Sequence, residues 1–114
     1  MREPARDPSR IEHIMLAIGK IEEYTDGITF EQLTADSMRM HATIYNIQII
    51  GEAAYKLTKE FKEGHPEVPW TLMEKMRHVL VHDYYRILPE ALWDVVTSDI
   101  PALKQMMEKL QQSL

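Results

Sequence analysis

"SMRMHATIYNIQIIGEAAYKLTKEF", residues 37–61, decides the fold. Met40, Ile44, Ile47, Gly51, Ala54 and Leu57 recur at steps of three and four, one stripe of an α-helix. Tyr45, Ile49 and Ile50 make other faces apolar as well. A helix apolar around most of its girth is buried on several sides. In a chain of 114 residues, one of those sides is expected to be a subunit interface. Gly51 costs about 1 kcal/mol of helix propensity relative to alanine, and close helix packing is the expected compensation.

Upstream, Ser9 and Glu12 have the S-x-x-E spacing of a capping box, in which each side chain satisfies the other residue's free backbone N–H. Ile11, Ile14, Met15, Ile18 and Ile21 follow at helical steps, predicting a helix to about Tyr24 that Thr25, Asp26 and Gly27 stop. Residues 1–8, with two prolines and mixed charge, read as an N-terminal arm, leaving 9–114 as one domain. Thr29 and Gln32 repeat the capping-box spacing and open a short helix through Phe30 and Leu33.

Downstream, "EGHPEVPW" (63–70) is a loop, because Gly64, Pro66 and Pro69 all oppose helix continuation. A helix then covers roughly Trp70 to Asp83, with Leu72, Met73, Met76, Val79 and Leu80 expected inward. Pro89 starts a last helix in which Leu92, Val95, Val96, Ile100, Leu103, Met107 and Leu110 keep the period. Pro101 should kink it near residues 98–100. Strand alternation, hairpin dipeptides, repeats and low-complexity runs are absent. The expected fold is all-α: an up-and-down bundle of four main helices plus a short one.

Composition bounds the function. The chain has 45% hydrophobic and 27% charged residues, ordinary for a globular domain. It has no cysteine, which excludes disulfides and thiolate metal sites. No apolar run approaches the roughly 18 residues needed to span a bilayer. The first residues lack a signal peptide's apolar stretch, so no membrane association and cytoplasmic residence are the expectations. Thirteen Lys and Arg against eighteen Asp and Glu give a net charge of −5. Such a chain does not coat nucleic acid non-specifically. Any contact with RNA or a nucleotide has to use a local cationic site, and the charge leaves room for a basic partner.

"MRHVLVHDYY", residues 76–85, supplies that site. Arg77 stays charged and presents a planar fork of donors matching phosphate oxygens. His82 can accept or donate a proton near neutrality. Tyr84 can donate to a phosphate oxygen or stack on a base. At about 100° per residue, Arg77 and Tyr84 share a face, whereas His82 lies about 140° from Arg77. A single helix does not aim both at one phosphate. They converge if the helix ends near His82 or if a second subunit brings another copy alongside. The blander reading is a surface pair, Arg77 lying over Tyr84. His78 and His82 share a face at i, i+4, but the glutamate of an H-E-x-x-H zinc motif is missing, so neither metal nor cofactor is expected. Met73 and Met76 read as core, Tyr85 as packing, and His13, His41 and His65 as exposed polar positions. Gly-rich phosphate loops, nucleophile elbows and paired catalytic carboxylates are absent.

Arg77, four residues, His82, one residue, Tyr84 is an R-x4-H-x-Y string, and it resembles that of the HEPN domains, specifically the HepT-like toxin ribonucleases. "IEEYTDGITFEQL", "IIGEAAYKL" and "HPEVPW" are similar to the family's other stretches in the same order, over roughly residues 9–112. The resemblance implies a homodimer with both R-x4-H segments lining one cleft, and a metal-independent endoribonuclease. It also implies a cognate minimal nucleotidyltransferase antitoxin that attaches AMP to the motif tyrosine. By motif position, Arg77 and His82 are the catalytic pair and Tyr84 is the RNA-positioning or modified residue. His78 stands where many relatives have asparagine, and Asn46 and Glu52 match supporting polar positions of the central helix. The leading expectation is RNA cleavage by 2′-hydroxyl attack on the adjacent phosphate. The alternative is an inactive HEPN dimer that binds a nucleotide or scaffolds its partner.

Overall fold

The computed structural model describes residues 3–79 and 88–114, with Val79 by its backbone alone. Among them every regular element is helical: α1 (Asp7–Thr25), α2 (Phe30–Ala35), α3 (Ser37–Lys56), α4 (Lys59–Glu63), α5 (Trp70–Val79), α6 (Pro89–Asp94) and α7 (Ile100–Gln112). A single 3₁₀ turn, Pro4–Arg6, precedes α1. The all-α bundle expected from the periodicities is the observed fold.

The core forms where the stripes meet. Ile11, Ile14, Ile18 and Ile21 of α1 are buried against Ile44, Ile47, Ile50 and Ala54 of α3. Met73 and Met76 of α5 and Leu103, Met107 and Leu110 of α7 complete it. α3 is the shared wall, packing on α1 to one side and on α5 to another, while α7 lies along α1. Lys104 of α7 reaches Glu22 of α1 at 2.9 Å, and that carboxylate holds the lysine pKa above its usual range.

Local chemistry sets most boundaries. Thr29 and Gln32 form the expected capping box, with reciprocal bonds of 3.0 and 2.8 Å. Asp36 caps α3 through Arg39 N–H. That bond, with the Arg39 guanidinium beside it, holds the Asp36 carboxyl below the usual carboxylate range.

Three expectations are corrected. Ser9 and Glu12 do not cap α1, which begins two residues earlier at Asp7 with Pro8 in its first turn. The reason is tertiary: the buried Asp7 carboxylate accepts from Thr58 N–H (3.0 Å) and Thr58 Oγ1 (2.7 Å), so the helix starts where this clasp forms. The long helix does not run to Phe61 but stops at Lys56. Leu57 turns extended, and Thr58 caps a new helix by accepting from Phe61 N–H. Leu72, expected inward, is 51% exposed, because α5 turns Met73 and Met76 to the core instead.

The last helix is interrupted as Pro101 requires. Its ring would clash with the carbonyl one turn back in a regular α-helix. Residues Val95–Asp99 instead form a π turn, closed by Ile100 N–H to the Val95 carbonyl, and the wider turn makes room.

Candidate active site

Arg77 lies in the last described turn of α5, beside the C-terminal half of α3. Gly51 brings the two helices together. A Cβ on Gly51 would collide with the Arg77 backbone nitrogen and lie 3.0 Å from both Arg77 Cβ and the Met76 carbonyl carbon. The close packing expected at Gly51 is therefore observed, and Arg77 is what it packs against.

One turn further along α3, Tyr55 meets the arginine's head. The guanidinium carbon sits 3.5 Å from the centroid of the Tyr55 ring, which is 36% exposed. A cation over an aromatic face is attracted by the ring quadrupole, and partial desolvation strengthens the attraction. Arg77 Nε is buried and has no hydrogen-bond partner among the described residues. A stacked guanidinium keeps its full charge and its in-plane N–H donors, whereas a carboxylate partner would engage both.

Around this arginine the other named residues divide. His78 follows it on α5 and is exposed. Glu52 is exposed on α3, about 100° around the helix from Gly51. It lines a shallow groove with Arg10, His13, Ile49, Ala53 and Lys56. Asn46 lies on the side of α3 that meets α1, about 140° from Gly51. It is buried, its Nδ2 donates to the Ala42 carbonyl at 2.9 Å, and it borders a groove of 320 Å³ with His13, Leu16 and Lys20. The structure therefore brings Arg77 to Gly51 and Tyr55, and sets Asn46 on the opposite flank of α3. His82, Tyr84 and Tyr85 lie outside the described residues, as does the predicted end of the helix at Asp83. Among the described residues, no three His, Asp or Glu side chains converge as a metal site would need.

Tyr55 escaped the sequence reading. Its signal was the i, i+4 spacing from Gly51, which places the two on neighbouring positions of one helix face.

A family model described as Ribonuclease HepT-like matches residues 14–110. The chain belongs to the HepT-like ribonuclease family of HEPN domains. The HepT-like chain is 42% identical over 102 residues to a protein of Thermococcus cleftensis named "Probable ribonuclease HepT", covering 90% of this chain and 93% of that one. It is 33% identical over 102 residues to a provisionally named RNase of Caldanaerobacter subterraneus subsp. tengcongensis, covering 90% and 91%. A Methanocaldococcus jannaschii protein whose name joins a gamma-glutamylcyclotransferase to an RNase matches at 36% over 104 residues, 91% of this chain and 47% of that one. No solved structure matches the HepT-like chain. None of its described helices is long and apolar enough to cross a membrane.

Proposed function

We propose that this chain is the ribonuclease toxin of a toxin–antitoxin pair, acting as a homodimer without a metal. The observation that carries the reading is Arg77. It is the first residue of the R-x4-H-x-Y string, half-exposed at the edge of α3, stacked on Tyr55 and with its Nε–H unpartnered among the described residues. That is what binding a phosphate needs.

In the proposed reaction the RNA 2′-hydroxyl gives its proton to His82 or a water His82 activates, and its oxygen bonds to the adjacent phosphorus. The bond from phosphorus to the 5′-oxygen breaks, and that oxygen takes up a proton. The products are a 2′,3′-cyclic phosphate and a free 5′-hydroxyl. Arg77 stabilises the negative charge that accumulates on the phosphoryl oxygens in between. Tyr84 positions the RNA and is the site at which a nucleotidyltransferase antitoxin attaches AMP, silencing the cleft.

The homodimer reading draws support from the open side of α3 and α1. Tyr45 is 63% exposed, Met38 85% and Leu16 67%, with Ile49 half-buried between the helices. A second copy seated there would cover this surface, and in the proposed dimer the two R-x4-H segments line one cleft.

The test is cleavage of mixed RNA in EDTA by wild type, Arg77→Ala and His82→Ala, with end-group analysis of the products. Each substitution is expected to slow cleavage by about 10²- to 10⁴-fold and leave cyclic phosphate ends on what is cut. Cleavage abolished by EDTA and restored by zinc would overturn the metal-free mechanism. Folded His82→Ala protein cutting at the wild-type rate would move the chain to the alternative, a nucleotide-binding or scaffold module.

A further inference from the structure

We infer that Tyr55 is a positioning residue for Arg77, holding the guanidinium by its ring so that the charge faces RNA phosphate. The inference rests on the proposed role of Arg77 and adds a residue outside the R-x4-H-x-Y string. Three observations meet at this point. Gly51 fixes the backbone of residue 77 by direct helix contact. The Tyr55 ring lies under the guanidinium at 3.5 Å. The Arg77 Nε–H is buried yet donates to no partner among the described residues. An arginine on a free α5 surface would sample many rotamers, and ordering it at the moment of reaction would cost entropy. Backbone contact below and an aromatic plane beneath the head order it beforehand. The ring does this without a formal charge, so the arginine's attraction for a phosphate is undiminished.

Ring, hydroxyl and charge are separable by substitution. Tyr55→Phe keeps the plane, Tyr55→Leu removes it with similar bulk, and Tyr55→Glu replaces it by a competing anion. With the range measured for cation–π contacts, Tyr55→Leu should lower kcat by about 3- to 30-fold with KM little changed. Tyr55→Phe should retain near wild-type kcat, and Tyr55→Glu should fall below Leu. Thermal melting of each variant separates a loss of fold from a loss of positioning.

A second readout does not depend on cleavage. In a ¹H–¹⁵N spectrum the Arg77 side-chain Nε–H should be shifted by the ring current in wild type and Tyr55→Phe, and move to its ordinary position in Tyr55→Leu. If wild type cuts no RNA while this pattern holds, the stacking stands and the ribonuclease reading falls. Tyr55→Leu cutting at the wild-type kcat overturns the positioning role. So does Tyr55→Phe as impaired as Leu, which would put the effect in the hydroxyl.

Discussion

Gly51 and Arg77 touch through their backbones, and the touch leaves no room for a methyl group. The residue that opens the family string is therefore fixed by a glycine 26 positions earlier in the chain.

Alanine at this glycine should reverse the usual sign of helix propensity. Gly51→Ala gains up to about 1 kcal/mol in propensity but overpacks against α5, which typically costs about 1–3 kcal/mol. The net effect is expected to be destabilising, with cleavage reduced further because Arg77 is displaced. Gly19 is the control, since a Cβ there meets nothing within 4 Å. Gly19→Ala should stabilise by about 0.5–1 kcal/mol. Urea denaturation of the two variants decides it: equal signs would sink the close-contact account.

Asp7 should matter more than a residue near a chain end usually does. Asp7→Ala leaves the buried Thr58 N–H without its acceptor, a loss of about 1–3 kcal/mol. Asp7→Asn keeps one acceptor oxygen and should lose less. Chemical denaturation showing no difference between Asp7→Ala and wild type would remove the clasp from the list of stabilising contacts.

Light scattering at micromolar protein should give the mass of two chains. Tyr45→Glu, on the open face of α3, should give the mass of one while the melting profile stays cooperative. A wild-type monomer would remove the second R-x4-H segment from the cleft.

Incubation with a minimal nucleotidyltransferase, ATP and magnesium should add the mass of one or more AMP groups. Tyr84→Phe should stay unmodified by intact-mass spectrometry. Modification of that variant to the wild-type extent would mean the acceptor lies elsewhere.

Two groups among the described residues have shifted titrations, one at each end of the pH scale. The Asp36 carboxyl titrates below its unfolded value of 3.8, because Arg39 N–H and then the Arg39 side chain favour its charged form. Its contribution is present above about 3.8 and is lost as pH falls through the lower folded value. Lys104 titrates above its unfolded 10.5 owing to Glu22, so its contribution is present below 10.5 and is lost as pH rises through the folded value. Asparagine still caps a helix, so Asp36→Asn isolates the charge. Its stability gap from wild type should narrow under acid, and a gap that widens there would contradict the assignment.

What the sequence made legible was whatever a single helix decides for itself. The Thr29–Gln32 box involves residues three apart, and its hydrogen bonds are local. The buried stripes of α1, α3 and α7 follow from spacing alone, as does a break at Pro101. The Ser9–Glu12 box had the same local pattern and failed, because Asp7 found a partner 51 residues away that no spacing rule sees. Leu57 continued the apolar period across a real helix end for a related reason: it is buried, but in extended backbone. At the candidate site, Gly51 announced a close approach without naming its partner. Periodicity gives a residue's direction from its own helix axis, not what stands opposite, so the Tyr55–Arg77 stack stayed hidden.

The clasp between Asp7 and Thr58 also decides where anything attached ahead of residue 7 emerges. Thr58 follows the last turn of α3, the turn that carries Tyr55. A purification tag or fused domain joined at that point is delivered to the end of the bundle where the arginine is seated. There it would crowd incoming RNA or lend it spurious charge. Cleavage measured with a histidine tag in that position would describe the tag's neighbourhood as much as the enzyme's, so the kinetic comparisons belong to protein from which it has been removed.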